Sequence, residues 1–377
     1  MGDMSAVPES DPKRRTRMGR RPWVEPSGSG IATLDAHSLD PVVVGQLARR
    51  ALMDLKKGST EGVKAVLQPD RSELHDLVDD PEHAYAPDER PNWKLSSLLS
   101  KNRWYCGAKL VGSHSYNRHF GMERSRSWTI LFDKLTMYPL ALFDATGYST
   151  QRTGAYASIV VDCLLKQSAS FNVFVFGTGR VATAVVDDLQ AHHAGRIQTL
   201  YVKSHEMERA EAFARDAATR VSYPVVAVER LDRLSFCEFV VTASNAASPL
   251  FAAEDIGRDA VVLHLGGNET PASWIRHVLE TGTVICDDVQ TVAHRHSQSL
   301  ALYFSAQGRS LEDSALPYQI LDLWQILDDP TFNGRRPALV TCVGMPVLDL
   351  YLAQYAYEQN DLTLAEPAND ALAGPPG

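Results

Sequence analysis

The sequence has no apolar run near the roughly 18 residues of a membrane span, and no charged opening that leads into an apolar stretch. We therefore expect neither membrane insertion nor secretion. The five cysteines are far apart and form no Cys-x-x-Cys pair, so they predict neither disulfides nor a metal site and fit a reduced cytoplasm. Excess positive charge is also missing, because the net charge is −9, which argues against nucleic acid as the main partner.

What the sequence does have is length, since 377 residues exceed one typical core and predict at least two domains. Residues 1–30 contain a basic cluster in a segment rich in Pro, Ser and Gly, and residues 363–377 close on Ala-Gly-Pro-Pro-Gly. Both segments are predicted to be flexible tails, because they have little to bury. A docking arm for a partner is the alternative for the basic segment.

An apolar run ending at Phe176 leads into the turn Gly177-Thr178-Gly179-Arg180-Val181-Ala182. This Gly-x-Gly-x-x-Ala pattern is typical of a dinucleotide pyrophosphate site, because the glycines allow a tight turn and a close backbone approach. A lone motif is weak, but five more short apolar runs follow, separated by segments long enough for helices. They are Gln198–Val202, Pro224–Val228, Glu238–Thr242, Ala260–Leu265 and Thr283–Cys286. The alternation predicts an α/β fold with a doubly wound, Rossmann-type sheet at 149–317, which binds NAD or NADP.

The segments 31–148 and 318–362 are predicted to form one α+β domain into which the Rossmann-type domain is inserted. A capped amphipathic helix begins at Asp40-Pro41 and closes before Gly58. Three β-rich stretches follow, at Trp104–Gly112, Ser127–Phe132 and Tyr138–Phe143. A helix is expected from about Thr150 to Lys166, and two more helices after about Pro317.

The end of the second Rossmann strand bears on the choice between NAD and NADP. NAD-binding domains place an Asp or Glu there, roughly 20 residues after the glycines, to hold the ribose 2′-hydroxyl. Here Lys203 and Ser204 occupy that end, and together with Arg180 they could meet a 2′-phosphate. We therefore expect a preference for NADP(H). The loop Thr242-Ala243-Ser244 after the fourth strand is expected along the path of the riboses.

Several motifs in one continuous order carry a resemblance to a known family. They are Gly107-Ala108-Lys109-Leu110-Val111-Gly112, Leu131-Phe132-Asp133, Tyr138-Pro139-Leu140-Ala141-Leu142-Phe143-Asp144, Arg152-Thr153-Gly154-Ala155 and the glycine turn. From about Asp40 to Gln359 the chain resembles the ornithine cyclodeaminase/mu-crystallin family. Two further motifs, Gly121-Met122-Glu123-Arg124-Ser125 and Val343-Gly344-Met345-Pro346, are most similar to its N-(2-amino-2-carboxyethyl)-L-glutamate dehydrogenases. Those enzymes release 2,3-diaminopropionate and 2-oxoglutarate.

The resemblance implies a homodimer that pairs through the β-rich first domain, with an amino-acid substrate bound between that domain and the nicotinamide. Family members act on a Cα–N bond: hydride leaves Cα for the nicotinamide, and water then attacks the imine. We therefore expect an NAD(P)-dependent amino-acid dehydrogenase of the diaminopropionate type. Two alternatives stay open. One is a cyclodeaminase-like or imine-reducing enzyme that makes a cyclic amino acid, and the other is a mu-crystallin-like protein that binds NADP(H) without turnover.

The resemblance also implies roles for three cationic residues. Lys109 is expected to face the substrate and to act as the base for the ammonium proton and the attacking water. Arg152, expected at the start of its helix, would bind the substrate carboxylate through two parallel hydrogen bonds. Arg124 is a second candidate for this role, because a substrate with three carboxylates needs more than one cation. A salt bridge from Arg124 to Glu123 or Asp144 is an equally open alternative.

Four positions in the late motifs complete the candidate site. Cyclodeaminases carry an aspartate after the fifth Rossmann strand, where this sequence has Asn268, so classical ornithine cyclisation is disfavoured. His264 or Glu269 could supply acid–base chemistry instead, although a histidine at a strand end is more often simply hydrogen-bonded. Gly344 is expected beside the cofactor.

Overall fold

The computed structural model describes residues 32–34, 38–69, 73–74 and 93–364. The predicted tails at 1–30 and 363–377 fall outside these ranges, except for the backbone of residues 363 and 364. The described residues form a six-stranded sheet and an eight-stranded sheet. None of their helices is both long and apolar enough to cross a membrane.

The six-stranded sheet is mainly antiparallel and has the strand order β1-β6-β5-β4-β3-β2. Its strands are β1 (Ala32–Leu34), β2 (Glu61–Leu67), β3 (Lys94–Lys101), β4 (Tyr105–Ser113), β5 (Ser125–Asp133) and β6 (Pro139–Asp144). Helix α1 (Pro41–Lys56) precedes β2, and the carboxylate of Asp40 accepts a hydrogen bond from the amide of Val42 at 2.7 Å. The predicted cap and the three predicted β-rich stretches are confirmed.

The eight-stranded sheet is parallel throughout, with the order β13-β12-β14-β11-β10-β7-β8-β9, and confirms the predicted Rossmann-type fold. Its strands are β7 (Phe171–Phe176), β8 (Ile197–Lys203), β9 (Val225–Ala227), β10 (Phe239–Thr242), β11 (Val261–His264), β12 (Thr283–Cys286), β13 (Leu321–Asp322) and β14 (Ala338–Thr341). Nearly all side chains of the central strands are buried, as expected when helices cover both faces.

The remaining helices are α2 (Thr146–Gly154), α3 (Tyr156–Leu164), α4 (Arg180–His193), α5 (Met207–Ala217), α6 (Ala272–Thr281), α7 (Val289–Arg295), α8 (Ser299–Ser305), α9 (Leu311–Ala315), α10 (Leu323–Ile326) and α11 (Pro346–Leu364). Helix α11 packs on β2, β3 and β4 and against α1. It therefore returns the chain to the six-stranded sheet after the nucleotide-binding fold is complete.

Two expectations from the sequence need correction. The helix expected from Thr150 to Lys166 is two helices, α2 and α3, so Arg152 lies in the last turn of α2 and not at a helix start. A cation is favoured at that end of a helix. The segment 318–362 was assigned as a whole to the first domain, but β13 and β14 pair within the eight-stranded sheet. Each is too short for its apolar pattern to be distinguished from a loop or a helix turn.

One face of the six-stranded sheet carries exposed apolar side chains, and we call it the outer sheet face. The strand register aligns Val63 with Leu99 and Leu110 with Trp128 on this face. These four side chains are between 42% and 64% exposed. The alternate residues of β2 and β4 point the other way, towards α11, where a side-chain carbon on Gly62 would lie 2.8 Å from Pro346.

Candidate active site

The turn after β7 has the geometry of a dinucleotide site. Gly177 has a φ of +110°, and a Cβ there would lie 2.5 Å from the carbonyl oxygen of Ala243. A Cβ on Gly179 would meet nothing within 4 Å, whereas Ala182 is completely buried where α4 packs on the sheet. Thr178 lies between the glycines. The structure thus combines a close backbone approach with open space at the first turn of α4, as a pyrophosphate requires.

The cations expected at a 2′-phosphate have local partners. Lys203 donates from Nζ to the carbonyl of Glu229, and Arg180 donates to the carboxylate of Glu123. Ser204 is half-buried at the end of β8. The first carboxylate after this strand is Glu206, which pairs with an arginine on its own helix. The strand end therefore presents no carboxylate to a ribose 2′-hydroxyl.

The loop after β10 is fixed by a buried carboxylate. Ser244 donates to Oε1 of Glu269 from its amide, at 3.0 Å, and from its hydroxyl. Thr242 is completely buried, and the amide of Ala243 bonds to the carbonyl of Phe176 at 2.9 Å. These contacts give Glu269 a structural task, the support of the loop at 242–244.

His264 and Asn268 lie in different surroundings. His264 is completely buried in the sheet, and its Nδ1 is 3.5 Å from the hydroxyl of Thr341 on the neighbouring strand. This position fits the hydrogen-bonded alternative and not an acid or base open to substrate. Asn268 is half-buried in the following loop, and its side chain makes no hydrogen bond to a described residue.

Two cations and a carboxylate meet where the two sheets adjoin. Lys109 is almost completely buried and donates from Nζ to Asp349 at 2.7 Å and to Ser149 at 2.7 Å. Arg152, only 6% exposed, donates from Nε to the same oxygen of Asp349 at 3.2 Å. Burial lowers the pKa of Lys109 to about 8, and Arg152 adds to this lowering while Asp349 opposes it.

Gly344 lies directly against Arg152. Its φ is +83°, and a Cβ there would lie 2.0 Å from Nη1 of the guanidinium group. The loop after β14 therefore presses on the arginine, and only glycine gives it room. Because Nη1 donates to Thr153 at 2.9 Å and Nε to Asp349, the remaining Nη2 has no hydrogen-bond partner among the described residues.

The structure adds Lys64, which the sequence analysis missed. It lies on β2 and donates from Nζ to the carbonyls of Val343 at 3.1 Å and Gly344 at 3.5 Å. The carbonyl of Val343 also accepts from Arg295 at 3.2 Å. Burial lowers the pKa of Lys64 well below its usual value, and Arg295 and Arg152 lower it further. We call Lys64, Lys109, Arg152, Gly344 and Asp349 the junction cluster.

Arg124 makes no hydrogen bond or ion pair with a member of the junction cluster. It immediately precedes β5, its side chain is accessible to solvent, and its carbonyl accepts from the amide of His114 at 2.8 Å. Partial desolvation of the guanidinium group lowers the pKa of Arg124, and the negative charge of Glu269 opposes this lowering. The alternative ion pair of Arg124 with Glu123 or Asp144 is not present. Glu123 binds Arg180, and Asp144 accepts from the amide of Thr146 at 3.0 Å. Among the described residues no three His, Cys, Asp or Glu side chains group as a metal site.

A family model for the ornithine cyclodeaminase/mu-crystallin family matches residues 78–362. The chain belongs to this family. An alanine dehydrogenase of Archaeoglobus fulgidus is 23% identical over 256 residues, covering 67% of this chain and 76% of that enzyme. The family and the fold confirm the prediction of an NAD(P)-dependent enzyme of the amino-acid dehydrogenase and cyclodeaminase type.

Two solved structures have the same fold. A Thermococcus litoralis Delta(1)-pyrroline-2-carboxylate reductase, in complex with NADH and L-proline, matches with a TM-score of 0.73 and 16% identity over 88% of this chain and 98% of its own. An archaeal alanine dehydrogenase dimer with bound NAD matches with a TM-score of 0.72 and 18% identity, over 89% of this chain and 97% of its own.

Proposed function

We propose that this protein oxidises the Cα–N bond of an amino acid that carries an N-carboxyalkyl group, as the diaminopropionate-type dehydrogenases do. The observation that carries the proposal is the junction cluster. It combines a guanidinium group for a carboxylate, an amine with a lowered pKa and a glycine loop in contact with both. These are the groups that an amine oxidation needs beside a nicotinamide.

Arg152 is the proposed carboxylate anchor. Asp349 and Thr153 hold two of its nitrogens, and the loop at Gly344 limits its movement, so the guanidinium plane is fixed before substrate binds. Its Nη2, which has no hydrogen-bond partner among the described residues, can then donate to the α-carboxylate. A preorganised anchor decides which face of Cα meets the nicotinamide, and it costs little conformational entropy on binding.

Lys64, and not Lys109, is the proposed base. Lys109 is tied to Asp349, and its ammonium group is needed there because the two buried charges compensate each other. Among the described residues, Lys64 donates hydrogen bonds to carbonyls only and makes no ion pair, and burial lowers its pKa well below the usual value. A neutral amine at that position can take the proton that the substrate nitrogen loses and can later activate water.

The nicotinamide supplies the acceptor for the hydride that leaves Cα. The glycine turn supports this cofactor, because Gly177 approaches Ala243 closely and the space beside Gly179 is open. Lys64 takes the proton from nitrogen, and Arg152 holds the α-carboxylate. Water then adds to the carbon of the resulting C=N bond, and the bond breaks to give a 2-oxo acid and a free amine.

The preference of the site for NADP(H) remains our proposal. The end of β8 offers Lys203 and Ser204 and no carboxylate, and Arg180 lies beside it at the start of α4. For a 2′-phosphate to be bound, Lys203 and Arg180 must exchange their partners Glu229 and Glu123 for the phosphate. A KM for NAD+ clearly below that for NADP+ would contradict this assignment.

A homodimer that pairs through the outer sheet face is also proposed. This face exposes four aligned apolar side chains, and monomeric proteins rarely expose such a group to solvent. They are Val63, Leu99, Leu110 and Trp128. The similar archaeal alanine dehydrogenase is a dimer. A second copy of the chain would cover the same face in the same way, as a two-fold axis requires.

The experiment is a substrate panel with purified protein, in which absorbance of the reduced cofactor is followed. The panel contains simple amino acids, N-carboxyalkyl amino acids, ornithine and cyclic imines. Release of 2-oxoglutarate from N-(2-amino-2-carboxyethyl)-L-glutamate supports the proposal. Proline formed from ornithine with ammonia release would instead favour a cyclodeaminase, and tight NADPH binding without any turnover would favour a carrier.

A further inference from the structure

Asp287 follows β12 and is completely buried. Its Oδ2 accepts hydrogen bonds from the amides of Val343 at 2.9 Å and Gly344 at 2.8 Å, and from the hydroxyl of Tyr156 at 2.9 Å. Its Oδ1 accepts from the amide of Asp288 at 3.1 Å. Four donors therefore satisfy this carboxylate, and none of them carries a charge. Burial raises the pKa of Asp287, and the hydrogen bonds oppose this.

The carbonyl of Val343 and the amide of Gly344 belong to one peptide group. Because a trans peptide is planar, its N–H and C=O point in opposite directions, so a partner that fixes one also fixes the other. The N–H meets Asp287 on one side of the loop. The carbonyl meets Lys64 at 3.1 Å and Arg295 at 3.2 Å on the other side. Rotation of this peptide would break all three hydrogen bonds together.

We propose that Asp287 is a positioning residue, which fixes the peptide between Val343 and Gly344 and thereby holds the amine of Lys64 in its reactive position. Asp287 is buried behind the loop, so it does not touch the substrate. The inference rests on the proposed function in one respect, the assignment of Lys64 as the base.

The charge of Asp287 gives it a second influence on the same amine. Its negative charge raises the pKa of Lys64, against the lowering by burial and by the guanidinium groups of Arg295 and Arg152. An asparagine side chain has only one acceptor oxygen, so it would leave part of this hydrogen bonding unmade, and it would not have this influence. Replacement of Asp287 by asparagine should therefore lower the pKa of Lys64 further, in addition to loosening the peptide.

The test compares Asp287→Asn with Asp322→Asn in the full-length protein. Asp322 is a matched control because its Oδ1 also accepts from a backbone amide, that of Val289 at 2.8 Å, and burial raises its pKa to about 6. Its side chain also accepts from the amide of Gln325, and neither donor lies in the loop at 343–344. At position 322, an asparagine oxygen can still accept the hydrogen bond from the amide of Val289. Two readouts are used: kcat and KM across pH, and competitive labelling of the Lys64 amine with acetic anhydride, followed by mass spectrometry.

For Asp287→Asn we expect kcat to fall roughly 10- to 100-fold with KM changed by less than about threefold, since positioning a base acts on the chemical step. The acid limb of the kcat profile and the labelling midpoint of Lys64 should both move down by about one pH unit. Asp322→Asn should change neither. A purely structural role for Asp287 would lower the amount of folded protein and leave the kcat of the folded fraction unchanged.

The labelling readout separates this inference from the proposed function, because it needs no turnover. A low midpoint in the wild type that Asp287→Asn does not shift would overturn the inference alone. A wild-type midpoint at the ordinary lysine value, unchanged in the variant, would overturn the base assignment as well. Should Asp287→Asn fail to fold, Tyr156→Phe removes one donor and keeps the charge of the carboxylate. A lower kcat with an unshifted midpoint would then support the positioning role, and an unchanged kcat would refute it.

Discussion

Replacement of Gly344 by alanine tests whether the glycine loop fixes the carboxylate anchor. The residue has a φ of +83°, and the new Cβ would lie 2.0 Å from Nη1 of Arg152. The left-handed backbone costs an alanine roughly 1–2 kcal/mol. The steric clash of the new Cβ with Arg152 costs more than this, because it can be relieved only if the Arg152 side chain moves. A charge-assisted hydrogen bond lost to the substrate is worth about 1.5–3 kcal/mol, so kcat/KM should fall about 10- to 100-fold.

Gly58→Ala is the matched control for this variant. Gly58 has a similar φ of +66°, but a Cβ there would meet nothing within 4 Å. It should therefore show the backbone cost alone, as a lower midpoint of urea unfolding with unchanged kinetics. Steady-state kinetics and NADPH binding are measured for both variants. Equal kcat/KM for Gly344→Ala and Gly58→Ala would show that the loop does not hold Arg152 in place.

Three further predictions follow from the same geometry. Lys64→Met should lower kcat by about 10²- to 10⁴-fold. Wild-type activity should fall with decreasing pH, because a lysine that is protonated below its lowered pKa cannot accept a proton. A flat pH profile would contradict this prediction. Asp349→Asn should destabilise the fold by about 3–5 kcal/mol in urea unfolding, because it leaves Lys109 and Arg152 without their shared carboxylate. Glu61→Gln, which breaks an exposed pair with Lys101, should leave the midpoint unchanged. Leu99→Glu should give monomers in analytical ultracentrifugation, whereas Leu316→Glu, also exposed but off the outer sheet face, should not; a dimeric Leu99→Glu would place the interface elsewhere.

The sequence allowed the Rossmann-type strands to be predicted because buried parallel strands are continuously apolar. All six predicted strands, from the one before Gly177 to Thr283–Cys286, are present. Strands β2 and β3 were not predicted, because they are not continuously apolar. One face of β2 is the outer sheet face, which carries apolar side chains, and the other face carries Lys64. Glu61–Leu67 therefore does not show the alternation of buried apolar and exposed polar side chains that indicates a strand. The exposed apolar residues on the outer sheet face obscure the pattern of apolar and polar positions.

The junction cluster was predicted only in part, because its members come from distant segments. Lys109 and Arg152 were found through motifs, but their shared partner is Asp349, about 200 residues away from Arg152. One signal was available: Asp349 interrupts an apolar helix, and a lone carboxylate among buried leucines needs a cation. Lys64 gave no comparable signal, since a lysine on a short strand is usually solvated.

The two lysines illustrate why residue type alone could not assign the base. Both are surrounded by protein, and burial lowers the pKa of each. Asp349 compensates this for Lys109, whereas the hydrogen-bond acceptors of Lys64 within the described part of the chain are carbonyls, and two guanidinium groups lower its pKa further. The two amines therefore have different electrostatic surroundings, although each belongs to a lysine within a strand. The assignment of an acid or a base in this site depends on which carboxylate the fold brings to which amine, and that is set by α11 and by the loop at Gly344.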